Sequence, residues 1–494
     1  MKKNHLSNLA KTGCLLISSV ALSLFASCAR DGFDDEQWES KTQNTQLSSP
    51  DANDITITPS ADGKTMTITW PVVSGAGGYI VNLYDTNNPE TPIVTDSLVD
   101  GCSITVKREE DVNYVLKIQT AANATYSNTA AASATEKSFS TFTPTYMTIP
   151  SGSDLYEWFA ANPLPADSIG TNINYDLEAG GQYTLSNMLD FGANTVTLRS
   201  TSKTNWATVT FTGETSSFEI SAGLTLKYLN FDCSGSLSAF IAMSATPAIA
   251  GVPVTAWGTT YNFYVISDPI VVMNCKIDNL NSYFFWDNQV TCWFPATVTV
   301  DNCLVHLTTS PEAKISSAAY FWTNKGAGFV RNLTVSNSTF YNTGESSAKY
   351  FYQSGGFGIS QTKESIGWTD NTLTYDHCTF YNVCPKGQWG NYNGLAGKST
   401  SYWNMLDCIF YNCSSGATAR RFLHGKQNQA TATFQNNTYM KEDGTFETPT
   451  PYDNSGTQIE EDPQFKDPAN GDFTISGPTQ VARGTGDPRW LPSE

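Results

Sequence analysis

Beyond residue 144, apolar and polar residues alternate in short runs that return again and again down the chain. Val298-Thr-Val-Asp-Asn-Cys-Leu-Val305 is followed by Leu333-Thr-Val-Ser-Asn-Ser-Thr-Phe340 and Leu373-Thr-Tyr-Asp-His-Cys-Thr-Phe380. Tyr402-Trp-Asn-Met-Leu-Asp-Cys-Ile-Phe410 and Ala432-Thr-Phe-Gln-Asn-Asn-Thr-Tyr439 continue the series, and Leu224–Phe231 and Ile270–Ile277 are earlier, looser copies. Alternation with a period of two predicts strands, not helices, which would space their apolar residues by three and four. The closing residues Phe231, Ile277, Val305, Phe340, Phe380, Phe410 and Tyr439 return about every 30 residues, with longer gaps where loops intervene. A strand that repeats at this interval predicts a solenoid whose turns stack about 4.8 Å apart.

Stacking puts equivalent residues in columns. Cys275, Cys303, Cys378 and Cys408 share one, continued by Ser338 and Asn437. A full turn between successive cysteines is wrong for a CxxC metal cluster, so the column predicts internal packing by free thiols. Asn279, Asn342, Asn382 and Asn412 form a second column after the turn, suited to amide bonds between neighbouring turns. The ends need caps, because terminal turns expose apolar faces and strand edges. Asp154-Leu-Tyr-Glu-Trp-Phe-Ala160 predicts a short amphipathic helix before the first turns. The segment from Glu461 to Ile475 predicts a turn followed by a strand at the far end.

Residues 52–143 have a different rhythm. Ile55–Ile57, Met66–Trp70, Tyr79–Tyr84, Ser103–Val106 and Tyr114–Ile118 alternate, with turn signals such as Asp62-Gly63 and Gly77-Gly78 between them. Short alternating strands in so few residues predict a two-sheet sandwich. Residues 28–51 are polar and nearly free of aliphatic residues, which predicts a flexible tether. Residues 1–27 carry Lys2, Lys3 and Lys11, an apolar stretch from Leu15 to Phe25, and small residues Ala26 and Ser27 ahead of Cys28. That is the build of an export signal, and its apolar part is shorter than the about 20 residues a membrane span takes.

These residues carry resemblances. Leu24-Phe25-Ala26-Ser27-Cys28 resembles a bacterial lipobox, which implies lipidation at Cys28 and an outer-membrane lipoprotein facing the cell exterior. The acidic run Asp31, Asp34, Asp35 and Glu36 resembles the surface-export tag of Bacteroidota lipoproteins. Trp70, Tyr79 and Tyr114 resemble the buried tryptophan, third-strand opening and tyrosine corner of a fibronectin type III module. The repeat, the caps and the Asp-Pro-Gln-Phe ending resemble the right-handed parallel β-helix of the pectin-lyase superfamily. Together the chain resembles Bacteroides surface lipoproteins that join such a helix to a fibronectin-like module. The expected fold class is therefore all-β, an immunoglobulin-like (fibronectin type III) sandwich followed by a right-handed parallel β-helix. The expected function is polysaccharide binding or processing, with a pectate lyase-like activity on uronic acid polymers as its sharpest form. A non-catalytic adhesin or structural interaction protein is the alternative.

Composition narrows the partners. The whole chain has a formal charge of −18, and losing the signal lysines makes the mature chain more negative still. Such a surface repels nucleic acid phosphates. The expected partners are a polysaccharide, the outer membrane through the lipid anchor, and glycan-utilisation proteins. Phosphate-binding, dinucleotide, zincin and serine-elbow motifs are missing. With four histidines in all, one of them His5 in the signal, a histidine-rich metal centre is excluded. No metal site or cofactor is expected; calcium is the one ion left open, without a clear carboxylate cluster to support it, since Asp301, Asp376 and Asp407 stand singly on their strands.

A second aligned series lies between the repeated strands: Tyr283–Asn288, Ala319–Lys325, Lys349–Ser354 and Arg420–Lys426. Matching Phe285, Phe321, Phe351 and Phe422 puts Trp286, Trp322 and Tyr352 in one column, and Lys325, Lys398 and Lys426 in another. A row of cations would bind carboxylates, or would simply fringe the solvated edge of the sheet. If the chain is an enzyme, Lys398 or Lys426 is the expected base for β-elimination, assisted by His424. Lys325 and Arg421 would hold substrate carboxylates, and Trp286, Trp322, Tyr352 and Trp389 would stack on sugar faces. Trp257, Tyr261, Trp293, Trp368, Tyr392, Tyr402 and Trp403 offer further rings in or beside the additions between turns.

Overall fold

The computed structural model describes residues 43–60, 64–86, 88–288, 292–323, 328–392, 395, 399–415, 417–423 and 430–492. The chain divides into two compact units between Thr143 and Pro144. Among the described residues no helix is long and apolar enough to cross a membrane.

In the first unit, Thr56–Pro59, Thr65–Thr69 and Ser103–Lys107 form a three-stranded antiparallel sheet. Val94–Val99, Tyr79–Asp85, Asn113–Thr120 and Thr135–Ser140 form a four-stranded one. The alternating residues supply one core, in which Met66, Ile68, Val81, Leu83, Leu116 and Ile118 are fully buried. Trp70 meets Tyr79 edge to face at 5.4 Å, and the Tyr114 hydroxyl accepts a bond from the Glu109 amide at 3.1 Å. The last residues of the expected tether are not free. Leu47 is buried, and Asn44 and Leu47 donate to the carbonyls of Tyr126 and Thr129. One buried leucine and a line of backbone bonds are enough to dock a polar segment that its composition alone assigns to solvent.

The second unit is a parallel β-solenoid with three strands in its regular turns. In the turn around residue 300, Thr297–Asp301 lies on the first face, Leu304–Leu307 on the second and Ala319–Thr323 on the third. The first and second faces merge into one long sheet, partly because Leu224–Asp232 and Ile270–Leu280 each bend across both. The third face is a separate parallel sheet running from Met188–Asp190 to Gln388–Tyr392. The repeating closing residues do form one register: Phe231 pairs with Ile277, Ile277 with Val305, and so on through Phe340, Phe380, Phe410 and Tyr439. The rings of Phe380 and Phe410 stack at 5.2 Å, and those of Phe410 and Tyr439 at 5.6 Å.

The corner between the first and second faces turns through one left-handed residue per turn. These are Tyr228, Asn274, Asn302, Asn337, His377, Asp407 and Asn436, all with φ between 48° and 56°. Asparagine tolerates this region better than most residues. The next residue in each later turn points inward, and there the cysteine column sits, buried and free. Burial pushes the Cys275 and Cys408 thiols up, so they are poor nucleophiles and poor ligands. Ser338 and Asn437 continue the column by accepting bonds from the Cys303 and Cys408 amides, each at 3.0 Å.

A helix over Leu155–Ala161, capped by Asp154, closes the start by burying Leu155 and Phe159. At the other end the predicted strand is absent. Residues 461–491 instead lie across the second face, with Phe473 against Tyr341 and Tyr381, and Trp490 donating to Thr339. Phe473 and Ile475 alternate because the segment presses every second side chain onto that face, not because it joins a ladder.

Candidate functional site

The C-terminal segment covers later turns of the second face, and the corner between the second and third faces carries two of the solenoid's hollows. Each second-face strand there gives way to a loop whose residues stack along the solenoid. Asn279, Asn382 and Asn412 take left-handed conformations at this corner, with φ of 61°, 52° and 50°. Asn412 donates to the Asn382 side chain at 2.8 Å, and Asn342 to the Ser346 carbonyl at 2.7 Å. These amides fix the loops that follow them, so the loops present a firm wall.

Two hollows lie in succession along this corner. The first, of about 650 Å³, is lined by Glu214, Leu237, Asn281, Tyr283, Trp286 and Glu312 among others. Trp286 and Trp322 are in register on the third face, both half-buried. The Tyr283 ring stacks on Trp286 at 5.0 Å and 6°, and on Trp322 at 5.4 Å and 26°. The result is a layered aromatic shelf, of which Tyr283 and Trp286 border the hollow beside amide and carboxylate groups, although Tyr283 is only 4% exposed. The second hollow, of about 630 Å³, is polar: Asn342, Glu345, Lys349, Asn382, Lys386 and Asn412 line it. The short helix Lys314–Ser317 separates the two, since Ala313 borders the first and Ser316 the second.

Trp286 lines the first hollow, Trp322 lines neither, and both stand partly exposed. Tyr352 and Trp389 do not, and both are withdrawn as stacking residues. Tyr352 is 2% exposed, accepts a bond from the Val330 amide and has its phenol pushed up to about 12 by burial. Trp389 is wholly buried against Phe351 at 4.6 Å and 7°. The aligned column is also one residue off. Phe321 pairs with Tyr352, so Gln353 and Asn391, not Tyr352, continue the line of Trp286 and Trp322. A one-residue slip exchanges the two faces of a strand, and a run of consecutive aromatics hides which is which.

Arg421 lies half-buried in the helix Thr418–Phe422. Lys325, Lys398, His424, Lys426 and Cys28 lie outside the described residues. Of the further rings, Trp293, Trp368, Tyr392 and Trp403 are core residues, whereas Trp257 and Tyr402 are exposed. Lys349 and Lys386 were not anticipated. Their signal was positional, since each follows a corner asparagine by a few residues, but that column reads as structural and draws attention away from the loops behind it.

Among the described residues one further group has metal-ligand chemistry: Asp376, His377 and Asp407, whose donor atoms lie within 4.8 Å of one another. His377 Nδ1 and Asp376 Oδ1 are 2.7 Å apart, and this bond lifts the imidazole above its usual range against the effect of burial. A carboxylate cluster of the kind calcium takes is not evident among the described residues.

The fold so defined is a parallel β-solenoid preceded by a smaller antiparallel unit. The chain is similar to three families, each described as a domain of unknown function: DUF4992 over residues 1–180, DUF4957 over 181–343 and DUF5123 over 373–490. The boundary at 180 cuts through the parallel stack, because strands on either side of it are paired. No curated protein matches the chain. A solved structure, that of the PL6 family alginate lyase AlyGC, is similar at 14% identity with a TM-score of 0.34. The match covers 59% of this chain, which spans 39% of that one.

Proposed function

We propose that this protein is a surface lipoprotein that binds a polysaccharide along the corner between the second and third faces of its solenoid. In this reading Cys28 carries the lipid anchor and the first unit is a fibronectin type III-like spacer. The bond from Glu109 to the Tyr114 hydroxyl supports that spacer as a tyrosine corner. The solenoid is then a right-handed helix of the pectin-lyase kind.

One observation carries the binding assignment: Tyr283 and Trp286, stacked together and with Trp322 against Tyr283, line a hollow that is followed along the solenoid by a second, polar hollow. A sugar ring is apolar on its faces and polar around its edge. A rigid aromatic surface desolvates the face at low entropic cost, while rim amides and carboxylates bond to the hydroxyls. Successive hollows on stacked turns suit a polymer better than a single small molecule. Lys349 and Lys386 at the second hollow allow the polymer to carry carboxylates despite the negative charge of the whole chain.

The test is retardation of the mature protein in native gels cast with neutral and acidic polysaccharides. The expected result is retardation by at least one polymer, and free migration in every one of them overturns the proposal. The anchor is tested separately by metabolic labelling with a fatty acid. Label is expected on the wild-type chain and lost in Cys28→Ser, and label surviving that change refutes lipidation there.

A further inference from the structure

The corner between the first and second faces lies away from the proposed sugar-binding corner, and from Asn274 onward its residues depart from asparagine at two neighbouring turns. Asparagine is the left-handed residue at 274, 302, 337 and 436, and its amide bonds to a neighbouring turn, as Asn302 does to Asn274 at 2.6 Å and Asn337 to Asp301 at 2.8 Å. At 377 and 407 the same φ is adopted by histidine and aspartate, with values of 49° and 51°. Asparagine on both flanks shows that the backbone does not require this change. What the change brings is an imidazole and a carboxylate on adjoining turns, next to the carboxylate of Asp376, with all three donors within 4.8 Å.

The neighbours hold these groups as a ligand set is held. Asp407 is only 4% exposed, and its two oxygens accept from Gln435 Nε2 at 3.0 Å and Asn436 Nδ2 at 2.7 Å. Each carboxylate oxygen has two lone pairs, so these bonds orient the group and still leave it able to coordinate. The Asp376 and His377 side chains are 38% and 37% exposed, which leaves an open approach from solvent. The backbone beneath is braced by the Gly486 amide, which donates to the Asp407 carbonyl at 2.8 Å.

We propose that Asp376, His377 and Asp407 form a binding site for a divalent transition-metal ion of the zinc class, bridging two turns of the solenoid. One imidazole nitrogen and two carboxylate oxygens suit zinc, cobalt, nickel or copper, with water completing the shell. Magnesium and calcium prefer oxygen donors throughout and gain nothing from the histidine. Ligation by Nδ1 replaces the proton it shares with Asp376, so binding displaces that hydrogen bond and leaves the flanking asparagine turns untouched. The site is independent of polysaccharide binding.

The column supplies its own controls, because His377→Asn and Asp407→Asn install the residue that neighbouring turns already use. The experiment is calorimetric titration of the chelator-stripped mature protein with zinc chloride and, in parallel, calcium chloride, with cobalt absorption spectra as a second readout. The expected result is one zinc per chain, lost or weakened at least tenfold in each variant, with a cobalt band in the wild type alone and no competition from calcium. Melting temperatures in chelator should match the wild type, which shows that the variants fold. The proposal is overturned if wild-type protein takes up no zinc, or if both folded variants bind it as the wild type does.

Discussion

At the scale of single residues, a side chain is often decided by which face of a strand it occupies. Glu219 belongs to the third face, in register between Asp190 and Ala242, yet it is 3% exposed and its Oε2 has no protein partner. Desolvation raises its carboxyl above the usual value of 4.5, with the Asp190 charge adding to the effect and bonds from Ser244 and Ala245 opposing it. A raised carboxyl keeps its proton in the folded chain at pH values where the unfolded chain releases it. Its favourable contribution is therefore complete below about 4.5 and falls away as pH rises through the folded value. Glu219→Gln should melt with the wild type at pH 4 and above it at pH 7, the gap opening between those limits. A constant gap across the range contradicts this assignment. The same question of face explains which site residues were legible. Trp286 and Trp322 are half-buried on the third face, whereas Tyr352 and Trp389 are core residues; the sequence does not separate the pairs, because aromatic side chains serve the core and a ligand surface equally well and only register tells them apart.

At the scale of elements, the repeating strand was the most legible feature. Alternation showed it to be a strand, recurrence made it a solenoid, and Phe231 through Tyr439 fell into one register. The third strand was legible as an element but not in its alignment, since Tyr350, Phe351 and Tyr352 are three consecutive rings, all buried, and alternation does not say which of them matches Phe321. The insertions between turns were not legible. Trp293, Trp368 and Phe357 pack into the core, and a helix at Ile359–Ser365 and a hairpin at Val252–Ile266 arise there. Loop packing has no period to betray it. Energetically the column is a continuous stack, so a hole in its middle disturbs both neighbours. Phe380 is fully buried between Phe340 at 5.9 Å and Phe410 at 5.2 Å. Phe380→Ala should cost about 3–5 kcal/mol, measured by equilibrium urea unfolding. A loss within the scatter of surface substitutions would mean that the stack tolerates a gap, contrary to the packing described.

At the scale of the whole molecule, the solenoid turns a local repeat into a long surface. Residues 461–491 lie on later turns of the second face, and the third face meets the second at a corner that holds two hollows in line. An extended polymer matches that arrangement, and the aromatic shelf gives it a fixed point. The claim stands or falls on whether the shelf is where the polymer binds. The decisive measurement is the dissociation constant of the protein for a polysaccharide that retards it. Wild type is compared with the double substitution Trp286→Ala/Trp322→Ala and with Tyr402→Ala, whose ring is exposed on the first face. The account predicts that the double substitution weakens binding about tenfold or more, equivalent to about 1.4 kcal/mol, while Tyr402→Ala binds as the wild type does. Unchanged affinity in a folded double variant, or a loss as large in Tyr402→Ala, would contradict it.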